Sequence, residues 1–379
     1  MTIICTLAGV GLLLIIAYDV YATVLHASAR FGPVGETLNR TIWRVARSVA
    51  FRLPRLSRHK LLNAVGPLLL PLLIIIYVTL LVLAFALIYF PRMPFEFNLS
   101  AQAGAARWVE SLYFSGVTVT TVGYGDIAPR TTAMRFVAMF ESASGLALIS
   151  LAVTYMLTAY TALERKRAIA LSFYHQAEEG ADAAGYVAHY FYDGHFYGLR
   201  EALRQATRDL QGLHEAHIEH PVIHYFHPLE VYKSLPRVLF LLLEACAVIR
   251  TGLDEEEYPD VRNFPDVRAL EASTRHVLFK MVTSLDLDGS KHLHEETEAD
   301  ETRRWKGRYH ATLRRLSDTG IKTRRDVVSG WEAYRAQREE WESRLHQLAA
   351  YLGYDWDEVT GDRDLAYAAD EEKAEPSRG

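Results

Sequence analysis

The sequence predicts an all-α membrane protein with a second, helical half outside the bilayer, and three observations lead there. Long apolar runs occupy residues 2–25, about 68–90 and about 131–163, each long enough to cross a hydrocarbon core. Charge is divided unevenly. Residues 1–163 hold twelve Lys and Arg against six Asp and Glu, whereas residues 164–379 hold twenty-nine against forty, a split that the net charge of −5 conceals. Residues 168–353 contain few β-branched runs and many amphipathic stretches of helical period.

Residues 1–25 form a first transmembrane helix, interrupted only by Asp19. Ala27-Ser28-Ala29 has the small-residue pattern of a signal-peptidase site, but no positive charge precedes the apolar run. Eight Lys and Arg follow it between Arg30 and Lys60. That bias predicts a retained helix with an external N-terminus and a cytoplasmic loop. Asp19 is a functional candidate by its depth; the plainer reading is a carboxylate hydrated near the headgroups or paired with Arg30. Residues 26–60 are a basic cytoplasmic segment, with arginines at 40, 44, 47, 52, 55 and 58. Their spacing suits a voltage sensor, yet Pro54 breaks the run and too few apolar residues separate the charges. A helix over 40–58 lying on an anionic inner leaflet is expected instead.

The next unit, residues 61–163, carries the chemistry. Gly66, Pro67 and Pro71 mark the start of an outer helix from about Leu68 to Phe90, and Pro91 and Pro94 end it. A short helix over Trp108–Thr120 leads into Thr120-Thr121-Val122-Gly123-Tyr124-Gly125-Asp126. Glycines at 123 and 125 let the backbone take positive φ at alternate positions, so that successive carbonyls can face one side. Rings of such carbonyls from four copies, with the Thr121 hydroxyl innermost, replace the water around a potassium ion. Val122 and Tyr124 are expected to point away and pack against surrounding helix. The short helix aims the negative end of its dipole at the same axis.

Thr121 to Gly125 resembles the signature filter of the tetrameric potassium channels without substitution, and Asp126 and Pro129 extend the match. The resemblance covers about residues 61–163 and implies a homotetramer. It also implies potassium coordination by Thr121, Val122, Gly123 and Tyr124, with Thr120, Gly125 and Asp126 in support. Val117 stands where some members carry a glutamate paired with the residue matching Asp126. That pair is absent, and Tyr113 or Phe114 is the candidate replacement. The resemblance places a gating hinge at Gly145, in an inner helix from about Thr131 to Leu163; close packing through Ser142-Ala143-Ser144-Gly145 is the alternative. Glu141, a carboxyl in an apolar segment, is a pore or proton-sensing candidate, or else a structural partner of the short helix.

Residues 164–365 are read as a cytoplasmic helical domain, with helices near 164–180, 198–218, 229–252, 266–284, 293–317 and 323–352. Residues 366–379 are an acidic, disordered tail. No GxGxxG and no catalytic constellation occurs, so no enzyme, no cofactor and no nucleic-acid partner is expected. With only Cys5 and Cys246 there is no disulfide framework. His214, His217, His220, His224 and His227 recur at helical steps and could bind a metal or respond to pH, although Pro221 and Pro228 break the helix that would align them. Asp286, Asp288 and Glu295 are weak calcium candidates by EF-hand spacing; Ser284 stands at the first ligand position. Trp331, Tyr334, Trp341, Leu345, Leu348 and Leu352 form a stripe, interrupted by Arg338, for a coiled-coil seam or for packing within each subunit.

Together these readings predict a potassium-selective channel of the plasma membrane with three helices per subunit and a cytoplasmic C-terminus. It would be gated by an unidentified stimulus acting through the tail. The alternative is a non-conducting, membrane-anchored sensor or assembly subunit that retains the pore fold.

Overall fold

The structure, a computed structural model, describes residues 1–26, 32–93, 95–99, 106–177, 182–287 and 298–361. Ala27-Ser28-Ala29, Arg30, Pro94, Asp288, Glu295 and the acidic tail lie outside the described residues. The chain forms two compact units. One comprises Met1–Arg44, Gly66–Thr161 and Ile218–Val222; the other comprises Val45–Val65, Ala162–His217 and Ile223–Gly379.

Three helices are long and apolar enough to cross a membrane, over Thr2–Val24, Arg55–Arg92 and Thr132–Gln176. The first is α1 (Thr2–Val20), extended by a wider π turn over Tyr21–Leu25. A Cβ added at Gly9 would lie 2.5 Å from the Ala84 carbonyl oxygen, so glycine is what lets α1 approach its neighbour. Asp19 is fully buried, not hydrated. It accepts N–H bonds from Val34 (2.7 Å) and Gly35 (3.2 Å) and the Tyr77 hydroxyl at 2.5 Å. Val34 and Gly35 open α2 (Pro33–Ala50), so the carboxylate satisfies amides that a helix N-terminus leaves without partners.

The basic helix therefore starts earlier than expected and stops earlier. Residues 51–54 turn, and Arg55 and Arg58 belong to α3 (Arg55–Tyr89). Pro54 explains the break: it cannot continue α2 but suits the start of the next helix, where its carbonyl accepts from Arg58 N–H at 2.9 Å. The outer helix correspondingly begins at Arg55, not Leu68, and Pro67 and Pro71 lie inside it. Each removes one ladder bond without ending the helix, a tolerance common in spanning helices.

After α3 come β1 (Phe97–Leu99), α4 (Arg107–Val119), β2 (Ile127–Pro129) and α5 (Thr132–Gln176). The strands pair antiparallel, Phe97 opposite Pro129. The inner helix was expected to end near Leu163 before a separate helix. It runs on, because Glu164-Arg165-Lys166-Arg167 are good helix formers with no breaker among them.

The second unit is built around α8 (Leu235–Gly252). Seventeen of its residues are buried, from Leu235 to Ile249 together with Thr251 and Gly252, as befits a helix apolar on nearly every side. Around it stand α6 (Ala183–Ala188), α7 (Leu199–Glu219), α9 (Pro259–Arg262), α10 (Pro265–Ser284), α11 (Glu298–Asp318), α12 (Val327–Glu339), α13 (Glu342–Leu352) and α14 (Trp356–Thr360). A small hairpin, β3 (Phe191–Tyr192) with β4 (His195–Phe196), departs from the all-helical expectation for this half. Asp193 (φ 48°) and Gly194 (φ 79°) make its turn, the Asp-Gly pair that a tight hairpin favours.

The aromatic stripe divides between α12 and α13, and Trp331, Tyr334, Trp341, Leu345, Leu348 and Leu352 are all buried in this unit's own core. Packing within the subunit accounts for it. Arg338, the interruption, is buried too, its guanidinium 3.0 Å above the Trp305 ring and paired with Glu342. The Tyr334 hydroxyl donates to Glu244 of α8.

Asp19 is the testable joint of the first unit. Asp19→Ala should cost roughly 2–4 kcal/mol, because it strands a buried hydroxyl and two amides. Thermal unfolding in detergent checks this: a lowered Tm is expected, and an unchanged Tm contradicts the role.

Candidate functional site

The segment after α4 is held through its N–H groups. Thr121 N–H donates to Thr118 O (3.0 Å), Val122 N–H to Val117 O (3.0 Å) and Gly123 N–H to the same oxygen (3.4 Å). The Thr120 hydroxyl donates to Gly116 O at 2.6 Å. The last carbonyls of α4 are thus satisfied by the loop that follows. Among the described residues no donor reaches the carbonyls of Thr121, Val122, Gly123 or Tyr124. Positive φ falls at every second residue, Thr121 (60°), Gly123 (58°) and Gly125 (81°). The alternation thus begins one step before the glycines, at a threonine, where it is a strained conformation.

Within the protomer Val122 is 52% exposed and Tyr124 71% exposed. Beyond the segment, Asp126 acts on Tyr113 and raises its hydroxyl above the ordinary phenol value, which brings the two candidate residues near one another. Phe114 is buried between Tyr89 and Phe97, with ring centroids 5.1 and 5.2 Å away, and does not take that part. Downstream, Arg130 N–H donates to Glu96 O (2.7 Å) and the Thr131 hydroxyl to the Glu96 carboxylate (2.9 Å).

Glu141 is fully buried behind α4. It hydrogen-bonds the Ser115 hydroxyl and accepts from the Tyr89 hydroxyl at 2.6 Å, so one carboxyl joins α3, α4 and α5. This is the geometry of the structural alternative, a carboxyl with no exposed surface in its own protomer. Ser115 also donates to the Val82 carbonyl at 3.0 Å. Neither Ser115 nor Tyr89 stands out in the sequence, since a serine in a helix and a tyrosine at a helix end are ordinary. A Cβ on Gly145 would lie 2.4 Å from the Val119 carbonyl oxygen, at the end of α4, and α5 is unbroken there. Close packing is what this geometry requires of the glycine.

The five histidines of the tail do not converge, and among the described residues no cluster of three metal-ligating side chains exists. His217 and His224 meet ring to ring at 5.0 Å, His214 faces His276, and His220 faces Tyr155. His227 pairs with His59. Burial first, and then the Lys166 ammonium, pushes His224 down to about 3 and His217 well below the usual imidazole range. Both are neutral at neutral pH and poor sensors there. Asp286 sits beyond the end of α10 with φ 60°, and the other two calcium candidates, Asp288 and Glu295, lie outside the described residues.

Residues 76–162 match the family described as "Ion channel". An uncharacterised membrane protein of Bacillus subtilis, YdjJ, is 28% identical over 262 residues, covering 68% of this chain and 74% of its own length. No solved structure matches significantly. The chain is a mostly helical membrane protein with an ion-channel domain, and the matched residues span α3 from Ile76, the exposed segment and α5 as far as Ala162.

Gly145→Ala forces the Val119 backbone to move, at a cost of roughly 1–3 kcal/mol. A lower Tm in detergent is expected. A variant as stable as the parent would show that the contact is dispensable.

Proposed function

We propose that the protein is a potassium-selective channel that conducts K+ passively across the plasma membrane as a homotetramer. The observation that carries this reading is a run of four carbonyls, Thr121 to Tyr124, without donors among the described residues and with positive φ alternating beside them. Carbonyls kept free in this way are suited to replace the water of a dehydrated cation. One chain contributes one such loop, so several must meet to surround an ion. The exposed faces of Val122 and Tyr124 supply surface that neighbouring copies would cover.

In this assembly Thr121, Val122, Gly123 and Tyr124 coordinate K+, and Thr120, Gly125 and Asp126 hold the loop's shape. Glu141 anchors the short helix from behind. Gly145 is a contact residue in this conformation and the proposed hinge in another, since bending α5 there would open the gap to Val119. The excess of Lys and Arg between Arg30 and Lys60 supports an external N-terminus and a cytoplasmic C-terminus. Exposed Val45 and Val49 between the arginines of α2 suit a helix resting on an anionic inner leaflet.

Flux from liposomes containing purified protein tests the proposal. Potassium efflux should exceed sodium efflux, and Gly123→Ala or Tyr124→Ala should abolish that preference. Absence of flux under varied pH, calcium and voltage would favour a non-conducting anchored subunit. Equal sodium and potassium flux would overturn the selectivity.

A further inference from the structure

A buried chain of acceptors and donors runs through the second unit. His59, on the third position after Leu56 in α3, is 1% exposed; His227 is 3% and Glu358 1% exposed. His59 Nδ1 lies 2.7 Å from His227 Nε2, and His59 Nε2 lies 3.1 Å from Glu358 Oε1. His227 Nδ1 lies 3.0 Å from the Leu352 carbonyl oxygen.

The protons in this chain can be counted. A carbonyl only accepts, so His227 carries a proton on Nδ1 and, as a neutral ring, offers the Nε2 lone pair. His59 must therefore donate from Nδ1. Its other nitrogen faces Glu358, whose Oε1 also accepts from Arg55 Nε at 2.6 Å and whose Oε2 accepts from Asp355 N–H at 2.8 Å. The Arg55 guanidinium and the Asp355 amide are both donors, so Glu358 meets them as a carboxylate despite its burial. An ionised carboxylate needs a donor at His59 Nε2 as well. The two imidazoles thus share three protons, one more than two neutral rings hold.

Among the described residues the groups facing this chain are few. Arg55, Arg58 and Asn63 come from α3; Tyr354, Asp355 and Glu358 come from the end of α13 and the start of α14. Arg58 pairs with Asp355 at 2.5 Å, and Asn63 donates to the His227 carbonyl at 2.7 Å. Tyr354 stacks on His227 at 4.3 Å, and the Glu230 carboxylate is a further charge acting on Tyr354. Gly353 completes the fit: with φ 87° and Leu62 2.5 Å from where a Cβ would stand, no other residue suits the position.

We propose that His59, His227 and Glu358 form a proton-operated latch, in which the third proton docks the first turns of α3 on the end of the tail and its loss to solvent on cytoplasmic alkalinisation releases them. Without that proton a buried imidazole lone pair faces the Glu358 carboxylate, and a charge-assisted hydrogen bond is gone. Because the docked turns belong to the outer helix, the latch would be a stimulus for the gate, a role that rests on the channel reading. The latch itself does not.

Hydrogen exchange of the full-length protein in detergent, corrected for intrinsic rates, reads the latch without any ion flux. Protection of residues 352–361 should fall about tenfold as pH rises from about 6 to about 9. His59→Gln and His227→Gln should each flatten that dependence, whereas His195→Gln, in the exposed hairpin turn, should follow the parent. Constant protection in the parent, or an unaltered dependence in either of the first two variants, would overturn the latch, whatever the liposome assay shows.

Discussion

The rest of the first unit depends on one constraint: four consecutive carbonyls have no donor among the described residues, so the loop that carries them must be held by everything else it has. Its amides return to Val117 and Thr118, and its first hydroxyl returns to Gly116. Its far end is clipped by the short β1–β2 pair and by Glu96. Behind α4, Glu141 ties three helices together and Gly145 lets α5 come within contact of Val119. In hydrocarbon a polar group without a partner costs several kcal/mol, and the carboxyls of Asp19 and Glu141 are each met by donors from neighbouring helices, whereas the loop's oxygens remain open among the described residues.

Buried carboxylates recur at the joints. Asp19 fastens α1, α2 and α3; Glu141 fastens α3, α4 and α5; Glu244 meets Tyr334 and lies near Arg308 and Arg338; Glu358 meets Arg55 and His59. A buried acid is a poor source of stability against an apolar replacement. Its use is directional: an acid surrounded by donors from several elements permits one arrangement of them. At Glu358 the partners include an imidazole, His59, as well as a guanidinium, and this is the joint on which the proposed latch rests.

Much of this was legible from the chain and some was not. Thr121 to Gly125 announced the loop, because positive φ leaves a glycine signature; Thr121 itself did not, since a strained threonine looks like any other. Asp19 and Glu141 were conspicuous as acids in apolar runs, but their partners were not. Tyr77, Tyr89 and Ser115 are ordinary residues whose role exists only once three helices are side by side. Prolines misled at 67 and 71, where a spanning helix absorbs them, and informed at 54, where the chain does stop and restart. The Asp193-Gly194 hairpin was readable and was hidden by the helical periodicity around it. His59 carried no signal, because its partner is 168 positions away.

An electron cryomicroscopy map of the purified protein in potassium is the most direct measurement of the central claim. Four loops should meet on one axis, with a file of ion density between the carbonyls of Thr121, Val122, Gly123 and Tyr124 that is lost or rearranged when sodium replaces potassium. Loops that stand apart, or an axis without ordered density in potassium, would contradict it.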